Sequence, residues 1–360
     1  MSSYKKLALL FPGQGSQIVG MGKDLIQDFP YISKLYQEAD RLLQFPISKV
    51  MFEGSAEELK QTENTQPALL LHSFSILKIL EKELGFQTTT STFNDADYSL
   101  SNSFTKKFDF YLGHSLGEYT ALLASNRISF PDSINLVRKR GQLMKQCKQG
   151  VMYALLSKQN MLAENGAINE IKTFLNNDKT LMANISNINS PNQIVISGEE
   201  QSVLSVISMA KQKKLFSKVV KLEVSAAFHS QLMMDCSLEF KDTLDKVTLN
   251  DIKNNLVISN VTAQPHNNDN LRQLLEKQLV STVCWVPSLQ WCIDEWKNNN
   301  NSTIPNDDYC FIEIGSNTVL KDLFKQMNSP YKCINIGTSQ DIKNFIKELK
   351  ENGSPLLSTE

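Results

Sequence analysis

One pentapeptide constrains this chain more than any other feature. Gly113-His114-Ser115-Leu116-Gly117 follows the apolar run Phe108-Asp-Phe-Tyr-Leu112 and precedes a helical pattern from Glu118 to Ala124. A strand that breaks into a helix over so few residues must turn sharply at the serine, and flanking glycines remove side chains that would clash there. The hydroxyl then projects at a helix N-terminus, where the Leu116 N–H and the helix dipole favour developing negative charge. Such a turn belongs to an α/β architecture. The serine is either an activated nucleophile or the apex of a merely structural turn.

The rest of the chain fits that class. Leu7 to Phe11 is a short continuous apolar run, as in a strand buried on both faces. It ends in Phe11-Pro-Gly-Gln-Gly-Ser-Gln17, either an ordinary βα turn or a second backbone donor for an oxyanion. No Gly-Lys-Ser/Thr follows at phosphate-loop spacing. Helical patterns are predicted over 18–43, 67–84, 132–147, 230–246 and 318–327, and strands over 256–260 and 310–314. Between them, 151–222 reads strand, helix, strand, strand, helix, strand, the ferredoxin-like βαββαβ order. Asn187 to Asn192 is predicted to be the turn between its central strands. The organisation expected is a discontinuous large α/β domain, 1–149 and 223–352, with a small domain, 150–222, inserted into it. Residues 86–107 and 297–308 are polar and read as exposed insertions, the first of them disordered, and 353–360 reads as a loose tail.

Composition removes several function classes. Lys plus Arg number 37 against 38 Asp plus Glu, so no global field draws nucleic acid or an anionic membrane. Six scattered cysteines form no CxxC pair and read as reduced thiols rather than a disulfide frame or a zinc site. The N-terminus carries neither a signal-peptide core nor a presequence, and no apolar stretch reaches membrane-spanning length. The expectation is a soluble, cytoplasmic, monomeric protein, with a mitochondrial location as the alternative.

A nucleophilic serine needs a base. Of four histidines, His72 sits among leucines in a helical pattern and His266 in an Asn-rich, solvated loop. His114 neighbours the serine but points the wrong way around the turn. His229 follows Val224-Ser-Ala-Ala-Phe228, small residues that let backbone approach a ligand; it is either the base or structural. Arg140 is the informative charge. On a helical wheel with Ile134 at the origin it falls at about 240°, inside the arc of Leu136, Val137, Leu143 and Met144. A buried arginine needs an anion, either an internal carboxylate or one brought by substrate. Lysines 211, 213, 214, 218 and 221 read as a solvated face.

Taken together, Phe11-Pro-Gly-Gln-Gly-Ser-Gln17, Thr65-Gln-Pro-Ala68, Gly113-His-Ser-Leu-Gly-Glu-Tyr119, Arg140-Gly141, Asn189-Ser-Pro191 and Phe228-His229 resemble the malonyl-CoA:acyl-carrier-protein transacylase family. The resemblance implies a hydrolase-like α/β domain with a ferredoxin-like insert. It implies a dyad of Ser115 and His229, an oxyanion hole from the N–H groups of Gln14 and Leu116, and Arg140 on the malonyl carboxylate. Gln278 would orient the histidine through its main-chain carbonyl, and Phe228 resembles the malonyl-selective form of the site. Malonyl-CoA is then the donor and acyl carrier protein the acceptor, with no cofactor or metal. The alternative on the same turn is a serine hydrolase or thioesterase. The chain departs from the family pattern at Thr282, where proline is usual, and at Gly315-Ser-Asn317, where Gly-Pro-Gly is usual.

Overall fold

A computed structural model describes residues 4–86, 98–163, 166–224, 226–251, 255–298 and 305–357. Its strands are β1 (Lys6–Phe11), β2 (Phe110–Gly113), β3 (Val151–Leu156), β4 (Ala183–Ser190), β5 (Gln193–Gly198), β6 (Lys218–Lys221), β7 (Leu256–Ile258), β8 (Tyr309–Ile314) and β9 (Lys332–Ile336). The helices of the first half are α1 (Lys23–Asp28), α2 (Ser33–Leu43), α3 (Ile47–Glu53), α4 (Ala56–Lys60), α5 (Thr62–Glu83), α6 (Asn102–Thr105), α7 (Gly117–Ala124) and α8 (Phe130–Gln146). Those of the second half are α9 (Ala167–Asn177), α10 (Glu200–Gln212), α11 (Met234–Leu244), α12 (Leu271–Gln278), α13 (Trp285–Asn298), α14 (Val319–Lys325) and α15 (Ser339–Glu351).

The apolar run at the N-terminus becomes β1, the centre of a five-stranded parallel sheet ordered β7-β2-β1-β8-β9. Its side chains alternate between two cores, as strand geometry requires. Leu7, Leu9 and Phe11 pack with α5, α7 and α8, whereas Ala8 and Leu10 pack with Trp285, Leu289 and Trp296 of α13. The second sheet is antiparallel, ordered β4-β5-β3-β6, and buries Ile185, Ile194 and Ile196 against α9 and α10. This is the expected βαββαβ order. Thr282 and Val283 tie the two sheets: Thr282 Oγ1 donates to the Ile185 carbonyl at 2.6 Å, and Val283 N–H to that of Ser186 at 2.8 Å.

Helix α5 begins earlier than residue 67. Proline usually opens a helix because it lacks an N–H, but Pro67 lies inside this one. The carbonyl it leaves free, that of Glu63, accepts instead from Arg138 Nη1 at 2.7 Å. The pattern over 18–43 is broken at Pro30, giving α1 and α2.

Other expectations are corrected. Residues 98–107 of the first polar insert are not an exposed loop: Phe104 is buried and its ring meets those of Phe86 and Phe108, while 87–97 lie outside the described residues. In the second insert Asp308 is buried, and 299–304 lie outside the description. Leu356 anchors the start of the tail in the core. Strand β4 continues to Ser190, so the turn is only Pro191-Asn192. Two register shifts let β4 carry Asn187 and Asn189 into the strand. Cys147, just after α8, lies beside Cys236 of α11, with Cα atoms 6.3 Å apart. Their separation of 89 residues hid a proximity that the packing of two helices creates.

Candidate active site

Ser115 adopts φ 52°, the left-handed conformation of a strained turn. The glycines around it are required. A Cβ on Gly113 would collide with the Gly117 carbonyl, and one on Gly117 with the Phe11 carbonyl. Asn260, beyond the end of β7, clamps the turn from both sides. Its Oδ1 accepts from Ser115 N–H at 2.7 Å and its Nδ2 donates to the Gly113 carbonyl at 2.6 Å.

Ser115 Oγ lies 2.8 Å from His229 Nε2. The other ring nitrogen, Nδ1, lies 2.9 Å from the Gln278 main-chain carbonyl. Nδ1 therefore carries the proton and donates, which leaves the Nε2 lone pair to accept from the serine hydroxyl. Burial first, then the neighbouring Arg140 charge, push the His229 ring down to about 3. It is thus a neutral base over the physiological range.

Arg140 is 1 % exposed and sits where the helical wheel put it. Its Nη1 donates to Gln66 Oε1 at 2.8 Å. Its Nη2 donates to Gln278 Oε1 at 2.9 Å and to Ser115 Oγ at 3.1 Å. All three acceptors are neutral. Among the described residues no carboxylate forms an ion pair with it, and desolvation lowers its pKa. Glu118 is the carboxylate whose charge reaches it, with the Gln278 amide between them and no direct hydrogen bond.

Ser115, His229, Arg140 and Gln66 line a cleft of about 180 Å³ between the two sheets, together with Gln14, His114, Leu116, Asn187, Asn189 and Phe228. No protein acceptor among the described residues takes the main-chain N–H of Gln14 or Leu116. The cleft shares Gln14 and Val224 with an adjoining pocket of about 270 Å³ that includes Lys60, Thr62 and Lys145. His114 faces away from Ser115 Oγ: its Nε2 meets Asn189 Oδ1 at 2.9 Å and its ring stands edge-on to Trp285.

Sequence reasoning missed three supports. Asn260 could have been found from its place just past the carboxyl end of a parallel strand, where α/β sites lie. Gln66 stands in a quoted motif but had no role. His266 is not solvated: it is buried with its Nε2 2.6 Å from Glu118 Oε1, because its N–H to the Val257 carbonyl draws the loop back against β7.

A strand–serine–helix turn whose hydroxyl meets a buried neutral histidine is the arrangement of a protein that handles acyl groups on a serine. Consistent with that class, residues 93–326 match the model of the acyl transferase domain family. The chain is 36 % identical over 350 residues to a malonyl CoA-acyl carrier protein transacylase of Bacillus subtilis (strain 168), covering 96 % of this chain and 98 % of the relative. The crystal structure of an acyl-carrier-protein-S-malonyltransferase from Bartonella henselae superposes with a TM-score of 0.79 at 32 % identity, over 96 % of this chain and 99 % of that one. A type II PKS acyl-carrier protein in complex with its malonyl-transacylase contains a similar chain, with a TM-score of 0.78 at 26 % identity over 95 % and 99 %. The chain belongs to the malonyl CoA-acyl carrier protein transacylase family.

Proposed function

We propose that the chain moves a malonyl group from coenzyme A to the phosphopantetheine thiol of acyl carrier protein through an ester on Ser115. The observation that carries this reading is Arg140: a buried guanidinium beside the nucleophile that donates only to neutral acceptors. A carboxylated acyl group supplies the missing anion.

In the first half-reaction Ser115 Oγ attacks the thioester carbonyl carbon as its proton passes to His229 Nε2. The carbonyl π electrons move onto oxygen, which the Gln14 and Leu116 N–H groups receive. Collapse breaks the carbon–sulfur bond, and His229 returns the proton to the departing thiolate. The carrier thiol then repeats the sequence in reverse: His229 takes its proton, sulfur attacks the ester, and the Ser115 alkoxide leaves and is reprotonated. Gln278 holds the His229 ring by its main-chain carbonyl. Arg140 grips the malonyl carboxylate throughout, and Phe228 crowds substituents on the carbon between the two carboxyl groups. The pocket next to Gln14 suits the pantetheine arm. This reading keeps the monomeric, cytoplasmic protein that the sequence suggests. Among the described residues no helix is long and apolar enough to cross a membrane.

Intact mass after brief incubation with malonyl-CoA, and again after adding holo acyl carrier protein, tests the proposal. A malonyl adduct that moves to the carrier is expected. An adduct that decays in buffer and leaves the carrier unmodified would make the protein a hydrolase.

A further inference from the structure

Beneath the nucleophile lies a buried polar cluster that the transfer steps do not use. Glu118, near the start of α7, is wholly buried. Its Oε1 accepts from His266 Nε2 at 2.6 Å. Its Oε2 accepts from Gln278 Nε2 at 2.5 Å and from Asn260 N–H at 3.2 Å. Gln278 is the junction between this cluster and the site. Its Nε2 also donates to the Ser115 carbonyl at 2.9 Å, while its Oε1 accepts from Arg140 Nη2 at 2.9 Å.

An amide side chain has two ends of the same shape and opposite polarity. Turned over, Gln278 would set its NH₂ against the Arg140 guanidinium and its oxygen against the Glu118 carboxylate. Both contacts would then be repulsive. A carboxylate only accepts, so Glu118 permits a single orientation. His266 holds Glu118 in turn, by an N–H aimed at the oxygen facing away from Gln278. Its Nδ1 meets no hydrogen-bond partner among the described residues. With the proton on Nε2, only a lone pair is left bare there, which costs less than a stranded N–H.

We infer that His266 and Glu118 are positioning residues that fix the Gln278 amide, and through it the direction in which Arg140 meets the substrate carboxylate. The inference rests on the proposed malonyl transfer. Neither residue touches the reacting atoms. Their effect falls first on the choice of acyl group, whereas the His229 ring is held by the Gln278 main-chain carbonyl and the Ser115 turn by the Asn260 side chain.

The test compares wild type with His266→Ala, His266→Gln and Glu118→Gln. Three quantities are read: loading by malonyl-CoA, loading by acetyl-CoA, and labelling of Ser115 by a fluorophosphonate. The Ala and Glu118→Gln variants should lose malonyl loading relative to acetyl by roughly ten- to a hundredfold, as a misplaced clamp does. The loss should appear mainly in KM for malonyl-CoA, with fluorophosphonate labelling retained. His266→Gln, which can still donate to Glu118, should recover most of the preference. Wild-type malonyl-to-acetyl ratios in folded His266→Ala and Glu118→Gln would overturn the inference. Equal loss of all three readouts, or failure of both variants to fold, would also overturn it, because the pair would then be structural. A wild type that takes no malonyl would instead remove the functional reading beneath it, and the inference with it.

Discussion

Replacing Arg140 by alanine separates the grip on the acyl group from the chemistry on it. In the free protein the guanidinium is 1 % exposed and donates to two glutamine oxygens and the Ser115 hydroxyl, all neutral. On the proposed mechanism a malonyl carboxylate is its first directly paired anion. Breaking a buried ion pair from one side costs about 3–5 kcal/mol. At about 1.4 kcal/mol per factor of ten, kcat/KM for malonyl-CoA should fall by two to nearly four powers of ten. Acetyl-CoA brings no carboxylate and leaves the wild-type cation unpaired, so acetyl loading should hold or rise. The malonyl-to-acetyl ratio thus falls by at least the malonyl loss. Melting temperature is a poor readout here, because two opposing effects meet. Removing a desolvated charge stabilises the fold, whereas stripping donors from Gln66 and Gln278 costs about 1–3 kcal/mol each. Arg140→Lys keeps the charge but not the planar fork, so its ratio should lie between the other two. Intact-mass loading with each thioester measures the ratios directly. An Arg140→Ala protein with wild-type malonyl preference would refute the argument and return the arginine to a packing role.

Ser115→Ala should abolish the malonyl adduct seen by mass, and an adduct surviving at that site would remove the nucleophile assignment. Gly117→Ala places a methyl group against the Phe11 carbonyl; it should lower the melting temperature by several degrees and cut fluorophosphonate labelling together, and an unchanged protein would refute the close approach of turn and strand. His72 and His229 are held at about 4 and about 3 by burial, below the ordinary 6.5. At pH 5 the unfolded chain therefore binds protons that the folded one refuses. Stability should fall as pH drops below about 6.5, by about 2 kcal/mol at pH 5 for each such group. Thermal melts from pH 7.5 to 5 in wild type and His72→Leu check this. The variant should show the shallower slope, and identical slopes would contradict it.

What the sequence disclosed follows from the range of the forces involved. The turn at Ser115, the alternation of the small sheet and the buried face of Arg140 are all set by neighbours within a few residues, so spacing reveals them. The cleft is assembled from distant segments. Nothing near His229 in the chain says that its ring will meet a carbonyl 49 residues further on; only the resemblance supplied Gln278. His266 misled for a related reason. Polar neighbours made its loop look solvated, but a single main-chain bond to Val257 turns it inward. Pro67 shows the same limit for a helix end: the freed carbonyl finds its donor in Arg138, 75 residues away.

The stitching of the two sheets has a consequence for what the acyl-enzyme must survive. Beyond Thr282 and Val283, Asn184 Nδ2 reaches the His229 carbonyl at 3.0 Å and Ser190 Oγ reaches Gln326 at 2.6 Å. These ties join the smaller sheet to the segments that carry His229, Val283 and Gln326. On the proposed mechanism, a smaller sheet held in this way leaves the serine ester open to water and carrier thiol alike, and the share of acyl groups delivered then depends on how much carrier is at hand.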